Sequence, residues 1–112
     1  RRNIEAAGAA EACTVWEGDL TRHLDRRLGE VGGLVDVAFV DPPYAAVRRW
    51  SWSAAASRIF VPLAEHLADD GVVALRLPRD VEPPEVVGGL AVGRLRRYGE
   101  MMLALLGLEV AK

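Results

Sequence analysis

Asp41, Pro42, Pro43 and Tyr44 follow directly on the apolar run Val35-Asp36-Val37-Ala38-Phe39-Val40. A carboxylate, two rigid imides and a phenol ring in succession suit the holding of a planar amine. Such an amine is a poor nucleophile, because its lone pair is delocalised into the ring it hangs from. A site that accepts both N–H bonds, one at the Asp41 carboxylate and one at the Pro42 carbonyl, favours a pyramidal nitrogen and aims its lone pair at an electrophile. Each proline has a fixed φ and no N–H, so the loop is stiff and presents acceptors without competing donors. Tyr44 offers a face on which a base that is unpaired or splayed from its helix can stack. If the electrophile is a methyl on a sulfonium, positive charge passes from sulfur to nitrogen, and a nearby carboxylate stabilises the nitrogen as it charges. The competing reading is a proline turn that closes a buried strand, with Asp41 as a cap and Tyr44 as core filler. At average residue usage this string arises by chance in roughly one chain of this length per few thousand.

The elements around these residues alternate. Arg1 to Ala12 reads as an Ala-rich helix, and Thr14 to Asp19 as a short strand ending in a turn. Thr21 to Glu30 reads as an amphipathic helix with Leu20, Leu24 and Leu28 on one stripe, stopped by Gly32-Gly33. Val35 to Val40 reads as a buried strand whose carboxyl end opens into the Asp41 loop, where open α/β sheets place their ligands. A helical region then runs from Ser53 to about Asp69, kinked or split at Pro62, with Asp69-Asp70-Gly71 as its closing turn. Val72 to Leu77 is a further strand, Pro78 to Pro84 a charged, proline-rich loop, and two strands meet in a hairpin near Tyr98-Gly99.

The chain has 112 residues, 51% of them hydrophobic, enough for one domain. The single Cys13 excludes an internal disulfide, which fits the cytoplasm, and no apolar stretch approaches the roughly 20 residues of a membrane span. The opening Arg1-Arg2-Asn3 already reads as helix, so the expectation is a portion of a longer chain. A net charge of −2 is unlike a protein that holds nucleic acid by general electrostatics, so any RNA contact is local. The best placed group is Arg48-Arg49 with Trp50, beside the proposed site; Arg94, Arg96 and Arg97 form a second basic cluster. Cys13, His23 and His66 have no metal-ligand spacing. Gly29-Glu30-Val31-Gly32-Gly33 follows a helix and precedes a strand, the reverse of the order a phosphate-type glycine loop needs, and reads as a helix stop.

Asp-Pro-Pro-Tyr after a strand, a Gly-led strand after the next helix and the closing Arg94-Leu95-Arg96-Arg97-Tyr98-Gly99-Glu100-Met101-Met102-Leu103-Ala104-Leu105-Leu106 together resemble the RsmD-like 16S rRNA guanine-N2 methyltransferases. The resemblance spans essentially the whole chain. It implies the C-terminal part of an α/β fold: a partial Rossmann-like sheet of the S-adenosylmethionine (SAM)-dependent methyltransferases, with helices on both faces and a C-terminal antiparallel hairpin. In the implied sheet order three-two-one-four-five-seven-six, Thr14 to Asp19 is strand three and Val35 to Val40 strand four. With strands one and two missing, these two are expected either to stand apart or to pair in a non-family order.

Carried over by residue, the resemblance implies that Asp41, Pro42, Pro43 and Tyr44 hold and orient a guanine amine. It implies that Asp19 accepts from the adenine amine of SAM, with the Leu20 backbone nearby; an N-cap role for Asp19 is the other reading. The family's glycine-rich loop for the methionine end of SAM would lie before Arg1, so the cofactor site is at best half built. The implied partner is 16S rRNA or the assembling small ribosomal subunit, and the implied full-length protein is a monomer. The tetrapeptide also occurs in close variants in DNA and protein amine methyltransferases. A non-catalytic Rossmann-like remnant that binds through its Arg/Trp surface is the third reading.

Overall fold

The computed structural model describes residues 20–108. Helix α1 (Leu20–Gly29) is amphipathic as its leucine spacing demands, with Leu28 buried and Leu24 against the core. Glu30 and Val31 return their N–H groups to the Arg27 and Leu28 carbonyls, and Gly32, at φ 81°, turns the chain away in a conformation that glycine adopts without steric cost. Strand β1 (Val35–Val40) has the expected bounds. Helix α2 (Tyr44–Arg49) begins directly after Pro43, whose carbonyl accepts from Val47 at 3.1 Å. Helix α3 (Trp52–Ala55) is capped by the Ser51 hydroxyl, which accepts from the Ala54 N–H at 3.3 Å.

A π turn (Ala56–Phe60) joins α3 to helix α4 (Val61–His66). Pro62 lies in the first turn of α4, one of the two arrangements its position allowed. Its ring brings no N–H and would crowd the Arg58 carbonyl, and just ahead of it the ladder widens so that the Val61 N–H reaches Ala56. Four strands complete the order: β2 (Leu67–Pro78), β3 (Val86–Val87), β4 (Leu90–Tyr98) and β5 (Met101–Leu108).

The sheet order is β1-β2-β5-β4-β3. Only β1 and β2 are parallel; every other described pair is antiparallel. The order of Val35–Val40, Leu67–Pro78, Met101–Leu108 and Leu90–Tyr98 is the four-five-seven-six portion that the resemblance implied. Tyr98 pairs with Met101, leaving Gly99 (φ 57°) and Glu100 as a two-residue loop, so the C-terminal hairpin is present. Val73, Leu75 and Leu77 from β2 and Met102, Ala104 and Leu106 from β5 alternate onto one face and meet Phe60, Leu63 and Leu67 in a single core.

Several expectations need correction. The helix that was to run to about Asp69 ends at His66, and Asp69-Asp70-Gly71 lies within β2 instead of closing a helix. Pairing steps from Val35↔Leu67 to Val37↔Val72, so the intervening β2 residues bulge, and Gly71 turns back so tightly that a Cβ there would stand 2.7 Å from the Leu67 side chain. Strand β1 is not buried on both sides: Ala38 and Val40 meet the core, whereas Val37 and Phe39 are 67% and 69% exposed. Strand β3 was unforeseen, although Gly88-Gly89 between Val87 and Leu90 is a hairpin signal. The expected helix at Arg1 to Ala12 and strand at Thr14 to Asp19 lie outside the described residues, as does their spacing from β1.

Candidate active site

Parallel pairing of Val40 with Leu75 brings Asp41, one residue past the end of β1, alongside Arg76. Asp41 and Pro43 are exposed, Pro42 and Tyr44 half-buried, and the four residues with Arg76 line an open hollow of about 330 Å³. The Pro43 carbonyl is occupied by Val47, whereas no described backbone N–H bonds to the Pro42 carbonyl. The corner thus gathers a carboxylate, a carbonyl and an aromatic ring around one space, the set that an NH₂ on a planar ring requires.

Arg76 was missed by sequence reasoning. Its Nη1 donates to Asp41 Oδ2 at 3.4 Å, its Cζ stands 5.6 Å from the centre of the Tyr44 ring, and its buried Nε–H has no acceptor among the described residues. Contact with Tyr44 first, and the Asp41 charge after it, raise this guanidinium above its already high ordinary value. The available signal was a lone charge in the otherwise apolar run Val72 to Leu77, late in the strand beside the motif.

A second, mostly apolar hollow of about 310 Å³ lies against the first, lined by Leu24, Ala38, Phe39, Val40, Ile59 and Leu63 and sharing Asp41 and Pro42 with it. A donor in this space and an acceptor in the other would meet across the Asp-Pro corner.

Asp19 lies outside the described residues, and Leu20 opens α1, with its backbone alone described. Arg48 and Arg49 are exposed at the end of α2, and Arg48 donates to Asp80 at 2.7 Å, an ion pair that holds the Asp80 carboxyl below the usual carboxylate range. Trp50 is half-buried, edge-on to Trp52 at 5.2 Å and to Phe60 at 6.5 Å, and its Nε1 has no acceptor among the described residues. Arg94 and Arg96 lie exposed on β4 opposite Leu105 and Leu103, which places them on the same sheet face as Arg76. His66 bonds to Asp25 at 3.1 Å and ties α4 to α1. Among the described residues no cluster of His, Cys, Asp or Glu could hold a metal ion, and no helix is long and apolar enough to cross a membrane.

A mixed α/β sheet whose parallel strand ends in an acidic-diproline-aromatic corner is the architecture of a methyltransferase-like domain, and the comparisons with known proteins agree. The chain belongs to the family described as conserved hypothetical protein 95, the RsmD-like family, whose profile matches residues 1–107. Three solved structures share its fold. A conserved hypothetical protein of Streptococcus pyogenes aligns over 96% of this chain and 62% of its own, with a TM-score of 0.71 and 22% identity. The yhhF protein of Escherichia coli, named as a candidate methyltransferase, aligns over 96% of this chain and 54% of its own, with a TM-score of 0.62 and 20% identity. The rRNA methyltransferase aviRa of Streptomyces viridochromogenes aligns over 91% of this chain and 46% of its own, with a TM-score of 0.56 and 21% identity. The chain thus spans less than two thirds of the length of each. No curated protein sequence matches it.

Proposed function

We propose that the protein carrying this chain transfers a methyl group from SAM to the exocyclic N2 amine of a guanine in 16S rRNA. The observation that supports this most is the open hollow whose wall is Asp41, Pro42, Pro43 and Tyr44. Asp41 accepts one amine N–H and the Pro42 carbonyl the other, so the nitrogen lone pair is left facing the shared wall of the two hollows. Tyr44 stacks on the base and fixes its plane, and the two prolines keep the acceptors from drifting as the nitrogen changes shape. The Asp41 carboxylate stabilises the nitrogen as it gains charge.

SAM, when bound, supplies an electrophilic methyl on a sulfonium. The apolar hollow lined by Leu24, Phe39, Ile59 and Leu63 suits the uncharged part of such a molecule and adjoins the amine site through Asp41 and Pro42. Asp19 is the proposed acceptor for its adenine amine, with the Leu20 backbone beside it. Arg48 and Arg49 are the proposed local RNA contacts, in the cytoplasm, on naked rRNA or on the assembling small subunit.

The test is Asp41→Ala in the protein that carries this chain, assayed with labelled SAM and 16S rRNA. Loss of methyl transfer, with SAM affinity kept within a few fold, is the expected result. Unchanged turnover removes the assignment.

A further inference from the structure

We infer that Arg76 takes the phosphate flanking the target nucleotide, so that the site draws its amine from a polynucleotide and not from a protein amide. The inference rests on the reading of Asp41 as the amine acceptor. The guanidinium of Arg76 lies on both groups that an incoming base needs: its Nη1 is on the Asp41 carboxylate and its plane is near the Tyr44 ring. A guanidinium and the amino edge of guanine share one chemical pattern, a planar carbon bearing three nitrogens, and the cradle holds either but not both. Arg76 must therefore withdraw when a base enters. Electrostatics requires the same: a cation left on Asp41 would neutralise the carboxylate just as the nitrogen begins to charge.

Withdrawal is eased because the Asp41 contact, at 3.4 Å, is exposed and long for a charge-assisted hydrogen bond, and the Tyr44 ring beside the guanidinium offers an incoming base the same face. The displaced guanidinium then needs an acceptor, and its Nε–H already lacks one among the described residues. Two nearby arginines are committed elsewhere, Arg48 to Asp80 at 2.7 Å and Arg79 to the Gly99 carbonyl at 3.1 Å. Among the described residues that line the hollow, Arg76 is the cation. A planar fork of N–H donors matches phosphate oxygens, the one strong acceptor that a nucleotide brings to this space and a glutamine side chain does not. Base entry and phosphate capture become one exchange, in which Asp41 gives up a guanidinium for an amine and Arg76 gives up a carboxylate for a phosphate.

The experiment measures binding of a short guanine-containing single-stranded RNA to the protein carrying this chain across a series of NaCl concentrations. In Arg76→Gln the slope of log K against log salt should become shallower by about 0.7, the loss of one phosphate contact on a single strand, with affinity falling several-fold. Arg76→Lys keeps the charge and should keep the slope, and circular dichroism confirms that both variants are folded. An unchanged slope in folded Arg76→Gln overturns the inference, as does efficient methylation of a glutamine peptide by the wild type. Either result can coexist with an Asp41-dependent amine methyltransferase, whose own test is the Asp41→Ala assay.

Discussion

Gly88 packs so closely beneath the start of α4 that a Cβ on it would stand 2.8 Å from the Val61 nitrogen. The contact anchors the Val87–Leu90 turn against the junction of the π turn and α4, the segment that supplies Ile59 and Leu63 to the apolar hollow. Gly88 also has φ 58°, so a side chain there meets both a backbone clash and a left-handed conformation. Gly88→Ala is expected to cost about 2–4 kcal/mol, summing αL strain and overpacking. Gly33→Ala, where a Cβ meets nothing within 4 Å, is the control and should change stability little. Urea denaturation of both variants makes the comparison.

Tyr44 contributes a ring face, and the account needs nothing from its hydroxyl. Tyr44→Phe should keep methyl transfer within about threefold, whereas Tyr44→Ala should lose roughly 10- to 100-fold, given about 1–3 kcal/mol for stacking one base on an aromatic side chain. Single-turnover rates on rRNA separate the two. A large loss in Tyr44→Phe would mean that the hydroxyl takes part.

Trp50 is read here as a packing residue. Trp50→Phe removes an indole N–H that has no acceptor and keeps an aromatic ring against Trp52 and Phe60, so its cost should fall well below that of Trp50→Ala, about 2–3 kcal/mol for a partly buried ring. RNA affinity of Trp50→Phe should equal that of wild type. A selective loss of RNA binding in a stable Trp50→Phe variant would restore Trp50 to the nucleic-acid surface.

The Arg48–Asp80 pair links α2, one turn beyond Tyr44, to the chain just past β2. Its hydrogen bond from Arg48 lowers the Asp80 carboxyl, with a backbone hydrogen bond as the second cause. A carboxyl lowered in the folded state contributes stability that is fully present above its unfolded value and is lost as pH falls through the folded one. The stability difference between wild type and Asp80→Asn should therefore be constant near neutral pH and shrink only in acid, below the ordinary carboxylate range. Because the pair is solvent-exposed, the difference should also shrink with added salt. Chemical denaturation from neutral to acidic pH at two salt concentrations checks both trends.

Much of the site could be read from the sequence because its signals are local. Asp41 to Tyr44 owe their conformation to two fixed proline φ angles and a preceding β-branched strand, and these need no distant partner. Leu24 and Leu28, Gly32, Pro62 and the Gly99 hairpin were legible for the same reason. Asp41 is exposed and Tyr44 half-buried beside the open hollow. Arg76 was not legible as a site residue, because its contact with Asp41 exists only through the parallel register of β1 on β2. The bulge at Ala68 to Gly71 was hidden likewise: Asp-Asp-Gly carries the composition of a turn, and only pairing with Val35 and Val37 makes the surrounding residues a strand. Val35 to Val40 suggested burial on both faces by its composition, yet burial depends on what covers a strand, and Val37 and Phe39 stay exposed.

The most direct test of the amine-methylation account is nucleoside mass spectrometry of 16S rRNA from cells with and without the gene. The account predicts that one N2-methylguanosine disappears with the gene, returns with the wild-type copy and does not return with Asp41→Ala. An identical nucleoside profile in all four strains would contradict it.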